Sequence, residues 1–334
     1  MSVASYSLLG HKAPEFPSNA IWINSGPMSL SNLQGRVVMI NFWSYSCLEC
    51  LRTIPFLKEI WRIYREHGFV LIGVHAPDFS FERTPENVEA FCLEHKILWP
   101  NILDNDFRVS EYYANRVHPA IYLIDDKGTI KQIHCGVDQH AQMESALQHL
   151  VKEIEPKAQL PKAGGPHHTN SQRVRFPSSP TIRCGYEFGR IGNEEGCNPG
   201  QAVEYTTDGL FEENVVYLRG LWQCNTDNIQ HVRSSAAHDE SARVTFHGIQ
   251  VGVVAGSAAK TPAQVYITLD GSPLSRDMAA KEVEFSDGES VISIKEPRLY
   301  KLMKSDHLGT HVLRLFTDSP DLQIYALEFG GCKG

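Results

Sequence analysis

The stretch that decides the fold runs from residue 37 to residue 64 and reads VVMINFWSYSCLECLRTIPFLKEIWRIY. Its beginning is mostly apolar and rich in β-branched and aromatic side chains, which predicts a buried strand over 37–43. After a short polar turn, apolar residues recur at helical spacing from Leu51 to Tyr64. Cys47 and Cys50 therefore fall where a strand passes into a helix, about one helical turn apart.

These two cysteines have the spacing and the position of a redox dithiol. A thiolate is the nucleophile of thiol–disulfide chemistry, and a helix start stabilises it because the first N–H groups lack backbone partners. Cys47 is therefore the predicted attacking thiol, and Cys50, inside the first turn, is the predicted resolving thiol. Glu49 lies between them, and its negative charge is expected to oppose thiolate formation at Cys47.

Two other interpretations of the C-x-x-C motif are half of a zinc site and a pair of buried thiols. A zinc site usually includes a second Cys/His pair at short spacing. No such pair accompanies Cys92 or Cys135 in the sequence. The strand–motif–helix context favours the redox interpretation, so no metal and no cofactor is predicted.

Length and charge set bounds on the classes of function. A chain of 334 residues is long enough for two domains. Its formal net charge of −8 argues against nucleic acid or an anionic membrane surface as the main partner. No run is apolar enough to span a bilayer, and the first residues lack the charged start and apolar core of a signal peptide. With Met1 as the native start, the expected location is the cytoplasm; a chain trimmed of a leader would be extracytoplasmic.

The first predicted domain, residues 1–155, begins with an irregular arm that contains a small hairpin around Ala20 to Ile23. An apolar strand at 69–75 follows the first helix, and the two strands should be parallel neighbours in a βαβ unit. The elements expected next are a helix at 85–95, a strand at 99–104, a helix at 106–115, an apolar strand led by Pro119, an antiparallel strand at 129–134 and a helix at 139–154.

This order of elements, together with the C-x-x-C motif, resembles the thioredoxin superfamily over residues 10–155. The segment 76–116 is longer than in simple thioredoxins and resembles the TlpA/ResA-like branch. More specifically, the chain resembles the soluble C-terminal region of DipZ-type disulfide reductases. The shared patterns are W-x-Y-S-C-x-x-C-x-R-x-x-P-x-L, which begins at Trp43, and H-x-P-x-F-x-F-E, which begins at His75 and ends at Glu82.

The resemblance implies roles for residues near the motif. Pro119 is expected to form a cis peptide bond, which costs only about 0.5–1 kcal/mol before proline, and to shape the groove for the substrate. The alternative is a trans proline that opens an edge strand. The backbone of His118 is expected to pair with the substrate, and Trp43 and Tyr45 are the other expected substrate contacts. Relatives often carry an aromatic residue in place of His118, so this departure and Glu49 leave substrate preference and reduction potential open.

Glu82 is the candidate for a proton-handling carboxylate near Cys50. A buried acid with a raised pKa could accept the proton of the resolving thiol, and a solvated loop glutamate is an equal alternative. His75 is alternatively a strand-end histidine satisfied by hydrogen bonds. The remaining histidines singled out have no metal spacing and are expected at the surface or in the linker: His134, His140, His167 and His168.

The second half of the chain has a different composition and hydrophobic pattern. Residues 156–180 are rich in proline, glycine and polar residues, which predicts a linker. Over 181–334, short alternating runs separated by turns such as Asp270-Gly271 and Asp287-Gly288 predict an antiparallel β-sandwich, specifically a jelly roll. The runs are 215–218, 242–246, 250–255, 264–269, 290–294, 311–316 and 323–329. The stretches 265–273, 297–300 and 309–315 resemble the carbohydrate-binding-module-like domain that follows thioredoxin in DipZ-type proteins.

Resemblance of fold does not establish sugar binding. Four aromatic residues could stack on a sugar ring, although aromatic side chains in a sandwich are more often core: Tyr217, Trp222, Tyr300 and Tyr325. Four cysteines of this half allow three pairings, between which the sequence does not choose: Cys184, Cys197, Cys224 and Cys332. Cys92 and Cys135 of the first domain are expected to be small buried side chains.

The leading hypothesis is a thiol–disulfide oxidoreductase that acts on protein or small-molecule disulfides. Its electron donor is unidentified, and the appended β-sandwich has a structural role or binds a glycan or a protein. A peroxiredoxin-like peroxidase is one alternative. It is disfavoured because the residues just before Cys47, from Trp43 to Ser46, lack the Pro and Thr of such a site. The other alternative is a non-catalytic binding module with a relict dithiol.

Overall fold

The computed structural model describes residues 5–164, 177–206, 209–234, 239–259 and 261–331. The chain divides into two compact units, residues 1–172 and 173–333. The predicted linker includes residues 165–176, among them His167 and His168, which lie outside the described residues. The bounds of the linker and of both predicted domains therefore stay predictions.

The first unit alternates strands and helices. In chain order its strands and helices are β1 (Ile21–Ile23), β2 (Val37–Trp43), α1 (Leu48–Tyr64), β3 (Phe69–His75), α2 (Pro85–Glu94), β4 (Asn101–Leu103), α3 (Arg108–Tyr112), β5 (Ala120–Ile124), β6 (Ile130–Cys135) and α4 (His140–Ile154). Short 3-10 turns occupy Ser5–Leu8, Leu30–Leu33 and Ser80–Arg83. In the described part of the chain, none of the helices has the length and apolar character needed to cross a membrane.

One six-stranded sheet, in the order β1-β4-β3-β2-β5-β6, forms the centre of this unit. All seven residues of β2 are buried, as its apolar composition predicts for a central strand. β2 pairs in parallel with β3 and antiparallel with β5, which confirms the predicted βαβ unit. The register sets Trp43 beside His75 and Phe42 beside Ala120. The ends of three strands therefore meet next to the turn that carries the dithiol.

Two details of the first unit differ from expectation. β1 is not half of a local hairpin: it pairs antiparallel with β4, which lies about 80 residues further along the chain. α3 covers five residues instead of the predicted ten or so. The Asp104 carboxylate accepts the backbone N–H groups of Val109 and Ser110 at its start, and Ala114, with a φ of 47°, turns the chain out of helical geometry.

The second unit is built from strands: β7 (Ile182–Arg183), β8 (Ala202–Tyr205), β9 (Val216–Cys224), β10 (Ile229–His231), β11 (Ser241–Ser257), β12 (Ala263–Leu269), β13 (Ser272–Pro273), β14 (Glu284–Ser286), β15 (Glu289–Ile294), β16 (Arg298–Thr317) and β17 (Leu322–Gly330). No helix occurs among its described residues. The predicted turns at 270–271 and 287–288 have positive φ at both residues, the geometry of tight hairpins.

The pairing is antiparallel between all neighbouring strands and joins them into one sheet of eleven strands. β11 and β16, with 17 and 20 residues, pair along almost their whole length. The first part of β11 also pairs with β9, and its second part pairs with β17. The predicted runs 242–246 and 250–255 are thus one strand, with a register shift between Gly248 and Gln250. The all-β class is confirmed.

The aromatic and cysteine residues of this unit are largely internal. Tyr217, Trp222, Tyr300 and Tyr325 are buried, as the core interpretation predicts. Cys197 and Cys224 form a disulfide with their Cα atoms 5.9 Å apart. Cys184 is a buried thiol, and Cys332 lies outside the described residues. The structure thereby selects a pairing that the sequence left open.

Replacing Gly220 by alanine should destabilise the second unit strongly. Gly220 has a φ of 94°, and a Cβ atom there would lie 2.2 Å from Oε2 of the buried Glu240. That oxygen accepts a hydrogen bond from the Leu221 N–H and contacts Nε2 of His231, each at 2.8 Å. Backbone strain of about 1–3 kcal/mol is expected, with about 1–3 kcal/mol more for the disturbed hydrogen bonds.

The matched control for this substitution is Gly271→Ala. Gly271 has a similar φ of 83°, but no atom lies within 4 Å of the added Cβ. Urea unfolding of both variants separates backbone strain from the clash at Glu240. Equal losses in the two variants would show that the Glu240 contacts do not contribute.

Candidate active site

Cys47 occupies the N-cap position of α1, directly before its first helical residue, Leu48. Its Sγ accepts the backbone N–H of Cys50 at 3.1 Å. This is the contact that stabilises a negative sulfur at a helix start, as the sequence predicts. Both cysteines are thiols in this structure, with 7% of Cys47 and 2% of Cys50 exposed. Cys47 is thus the more accessible of the two.

The charge of Glu49, expected to oppose a thiolate, has a partner one turn along the helix. Oε1 of Glu49 lies 2.7 Å from Nη1 of Arg52. Both side chains are mostly covered, so solvent screens this pair less than it would an exposed one. The guanidinium therefore offsets much of the unfavourable charge of Glu49 on Cys47.

Glu82 is fully buried, which settles the choice between a buried and a solvated side chain. Oε1 accepts hydrogen bonds from the Ser44 hydroxyl at 2.7 Å and from the N–H and hydroxyl of Ser46 at 3.1 and 2.9 Å. Oε2 accepts the backbone N–H groups of Asp78 and Phe79. One carboxylate therefore joins the turn before Cys47 to the loop after β3.

Burial raises the pKa of Glu82 to about 7, and the negative charge of Asp78 acts in the same direction. The hydrogen bonds from Ser44, Ser46 and Asp78 oppose this shift because they stabilise the ionised form. Glu82 therefore changes its charge near neutral pH. Among the described residues, its five hydrogen-bond donors lie in the two loops and none of them is a thiol.

His118, predicted only as a backbone contact for substrate, has its ring beside the dithiol. A ring nitrogen of His118 and the Sγ atoms of Cys47 and Cys50 all lie within 4.8 Å of one another. Nε2 of His118 lies 2.8 Å from Oδ2 of Asp78. Burial alone would lower the pKa of His118, but Asp78 and then Cys50 outweigh it and raise the pKa to about 10. The ring is therefore a cation at neutral pH.

The expected substrate contacts Trp43 and Tyr45 are buried, each about 3% exposed. The indole Nε1 of Trp43 donates to Oδ1 of Asn101 at 3.1 Å. The Tyr45 ring stacks between His75 and Phe91, with centroid distances of 5.5 and 5.1 Å. In this conformation both residues support the 44–46 turn from inside, so direct contact with substrate stays a prediction.

His75 differs from the expected strand-end histidine with hydrogen bonds. It is fully buried, and neither ring nitrogen has a hydrogen-bond partner in the described part of the protein. Burial, aided by the positive charge of His118, lowers its pKa to about 3. The ring is therefore neutral and packs as an aromatic side chain against Trp43 and Tyr45.

Pro119 follows a cis peptide bond from His118, as expected from the resemblance. It is buried and directly precedes β5, whose first residue, Ala120, pairs with Phe42 of β2. This pairing brings the 118–119 segment beside the end of β2 and hence beside Cys47. The position fits the role implied for Pro119, which itself stays a prediction.

The structure adds one possible ligand to the interpretation of the C-x-x-C motif as half of a zinc site. Cys47, Cys50 and His118 are the only group of three or more closely spaced Cys, His, Asp or Glu donors found within the described ranges. Structural zinc sites use four protein ligands, and this group supplies three. The sequence gives no sign of the third donor because it lies 68 residues beyond Cys50.

The expectation for the other described histidines is wrong. His134 and His140 are buried, not at the surface. The His140 ring stacks face to face on Phe56 with a centroid distance of 4.2 Å. Cys92 is buried as expected, and burial raises its pKa to about 12. Cys135 is only partly buried.

Comparison with known proteins gives a match for each unit. Residues 9–133 match the AhpC/TSA family, and residues 180–330 match the family described as a thioredoxin like C-terminal domain. Protein DipZ of Mycobacterium bovis is 26% identical over 324 residues, which cover 95% of this chain and 43% of that protein. The chain therefore spans less than half the length of this relative.

Other similar proteins cover only the first unit. The thiol-disulfide oxidoreductase YkuV of Bacillus subtilis is 27% identical over 143 residues, which are 42% of this chain and 95% of YkuV. The solution structure of a thioredoxin-like protein in the oxidized form is 26% identical and covers 42% of this chain and 95% of its own. Its TM-score is 0.39.

The β2–dithiol–α1 arrangement and the match over residues 9–133 support a thioredoxin-like fold for the first unit. More particularly, the chain is similar to the AhpC/TSA family over residues 9–133, to the thioredoxin like C-terminal domain over residues 180–330, and to Protein DipZ over nearly its whole length. The resemblance to DipZ-type proteins inferred from the motifs is confirmed.

Proposed function

We propose that this chain is a thiol–disulfide oxidoreductase that acts on protein or small-molecule disulfides through Cys47 and Cys50. The observation that carries the proposal is the position of Cys47 at the N-cap of α1, with its sulfur accepting the Cys50 N–H. A thiol in this position is converted to a nucleophilic thiolate more readily than an ordinary one. YkuV, which is similar over the first unit, is itself named a thiol-disulfide oxidoreductase.

The two thiols have different roles in this proposal. Cys47, the more exposed, attacks the substrate disulfide and forms a mixed disulfide. Cys50, almost completely buried, attacks the Cys47 sulfur and releases the reduced substrate. The His118 backbone and Pro119 shape the groove for the substrate, by resemblance to the thioredoxin superfamily. The steps require a disulfide substrate and an electron donor.

The contacts of Glu82 favour a role other than the proton handling expected from the sequence. Its two carboxylate oxygens hold the 44–46 turn and the 78–79 backbone in place. We therefore assign Glu82 to positioning the dithiol turn relative to the Asp78 loop. Trp43 and Tyr45, which are buried, also help to position the 44–46 turn. They contact substrate only if this turn opens.

For the second unit we propose a jelly-roll, carbohydrate-binding-module-like fold with a role in binding a protein or in structure. The four aromatic residues that could stack on a sugar ring are buried in the core. A glycan site would therefore need other side chains. A protein ligand or a structural role agrees better with this burial.

For the location we propose the extracytoplasmic alternative. The Cys197–Cys224 disulfide of the second unit is the supporting observation, because structural disulfides persist mainly in oxidising compartments. Non-reducing peptide mass spectrometry of protein from its native source is the direct check. Recovery of both cysteines as thiols there would favour the cytoplasm.

The test of the oxidoreductase function is equilibration of the full chain in dithiothreitol or glutathione redox buffers. We expect a two-electron couple that disappears in Cys47→Ser and persists in Cys92→Ser, which removes a thiol buried in α2. A low potential indicates a reductase, and a high potential an oxidant or isomerase. Absence of the couple in the wild-type protein would refute the proposal and favour the non-catalytic binding module.

A further inference from the structure

The side chain of His118 lies close to an acid and to both thiols. Its Nε2 is hydrogen-bonded to Oδ2 of Asp78, and a ring nitrogen lies within 4.8 Å of the sulfurs of Cys47 and Cys50. The three parts come from different segments: the start of α1, the loop after β3 and the residue before Pro119. Close approach of a cysteine, a histidine and a carboxylate is the arrangement that activates a cysteine nucleophile in other enzymes.

Hydrogen bonds between the loops support this arrangement. Asp78 is itself held by the hydrogen bond from its backbone N–H to Glu82, and Glu82 also binds the turn that leads into Cys47. The Asp78 and His118 side chains are only 16% and 23% exposed. Partial exclusion of water strengthens the attraction between the ring and a nearby negative group. The ring is therefore hydrogen-bonded to a mostly buried carboxylate and is largely shielded from solvent.

We propose that His118 is a catalytic proton partner of the Cys47–Cys50 dithiol and that Asp78 is its positioning residue. The inference rests on the proposed oxidoreductase function and names the group that handles protons during the exchange. His118 takes the place of Glu82 as the expected proton-handling group, because the hydrogen bonds of Glu82 are made with the 44–46 turn and with the backbone at 78–79.

The protons and electrons balance in two steps. In the reduced site the ring is protonated, Cys47 is a thiolate and Cys50 is a thiol. Cys47 attacks the substrate disulfide, a mixed disulfide forms, and the first substrate thiolate leaves and takes the proton of His118. The neutral ring then accepts the proton of Cys50, whose sulfur attacks that of Cys47.

The second step forms the Cys47–Cys50 disulfide and breaks the mixed disulfide. The second substrate thiolate leaves and takes the proton that the ring has just received. Two electrons and two protons have then passed from the dithiol to the substrate, which becomes two thiols. The ring ends neutral and is protonated again from water.

Several ionisable groups act on the ring. Asp78, a Cys50 thiolate and Glu82 favour the protonated ring, and the charge of the ring in turn lowers the pKa of the buried His75. The sulfur of Cys47 also lies within 4.8 Å of a ring nitrogen. The thiolate charge disappears when the dithiol is oxidised. His118 should therefore lose its proton at a lower pH in the oxidised than in the reduced protein.

The first experiment measures alkylation of Cys47 against pH in the reduced full chain, with a metal chelator present and peptide mass spectrometry as the readout. We expect His118→Gln to raise the pH midpoint of thiolate formation by one unit or more, which is a tenfold loss of alkylation rate at pH 6. Asp78→Asn should move the midpoint in the same direction by less. His134→Gln removes another buried histidine of the same unit and should leave it unchanged.

The second experiment uses only the wild-type protein, so it does not depend on a variant that folds. NMR of chain labelled at histidine follows the His118 ring in the reduced and the oxidised state. A lower midpoint in the oxidised state is expected. Identical midpoints in the two states, or an unchanged Cys47 midpoint in folded His118→Gln, would overturn the inference. A wild-type redox couple that survives alongside either result would leave the proposed function standing.

Discussion

Replacing Cys47 by alanine is expected to abolish reduction of disulfide substrates, with a loss of about 10³-fold or more in turnover. The physical reason is that Cys47 provides the only sulfur at the N-cap of α1, where the helix start and the Cys50 N–H stabilise negative charge. Cys50 is 2% exposed and cannot meet a protein disulfide directly. Turnover is measured by insulin reduction or with a small chromogenic disulfide.

The partner variant Cys50→Ala distinguishes the roles of the two thiols. It retains the attacking sulfur but lacks the resolving one, so it should accumulate a mixed disulfide with substrate. Non-reducing electrophoresis shows this adduct, and Cys47→Ala should not form it. The control Cys92→Ala removes a buried thiol of α2 and should turn over normally. An adduct with Cys47→Ala would mean that the roles are reversed.

Replacing Glu82 by glutamine should change the pH dependence of stability strongly. Its folded-state pKa is raised from 4.5 to about 7, so the folded protein holds a proton that the unfolded chain releases. Its contribution is fully present below pH 4.5 and is lost as the pH rises through 7. Over that interval the wild-type free energy of unfolding should fall, relative to Glu82→Gln, by about 3 kcal/mol.

Glutamine also carries a pH-independent penalty at this position. Its carbonyl oxygen still accepts hydrogen bonds but its NH2 group does not, so either the Asp78 and Phe79 N–H groups or the Ser44 and Ser46 donors lose their acceptor. A loss of about 1–3 kcal/mol is expected at every pH. Urea unfolding from pH 4 to 8 measures both effects, and Glu86→Gln, at an exposed position of α2, is the control. Parallel pH profiles for wild type and Glu82→Gln would contradict the raised pKa.

The local part of the site was predictable from sequence because it depends on neighbours in the chain. An apolar run, a polar turn and a helical pattern place Cys47 at the start of α1 without any tertiary information. The parallel pairing of β2 and β3 follows from the short connection through one helix. The cis bond before Pro119 depended on resemblance, because a single X–Pro sequence does not distinguish the isomers.

The rest of the site was not predictable because it depends on contacts between distant segments. Asp78 occupies an unassigned position in a loop, and its link to His118 exists only because β3 and β5 both flank β2. The hydrophobic pattern of the sequence also does not show whether an acidic loop residue such as Glu82 is buried. In the second unit, the bulge near Gly248 interrupts the alternation and divides the single strand β11 into two apparent runs.

The register that sets Phe42 beside Ala120 has a consequence for the order of events during synthesis. Cys47 and Cys50 leave the ribosome long before residues 118–124, and β5 cannot add to the sheet until they follow. A nascent chain that ends before β5 therefore carries the motif without His118 beside it. In the proposed mechanism such a chain lacks its proton partner, so its dithiol should exchange more slowly until the first unit is complete.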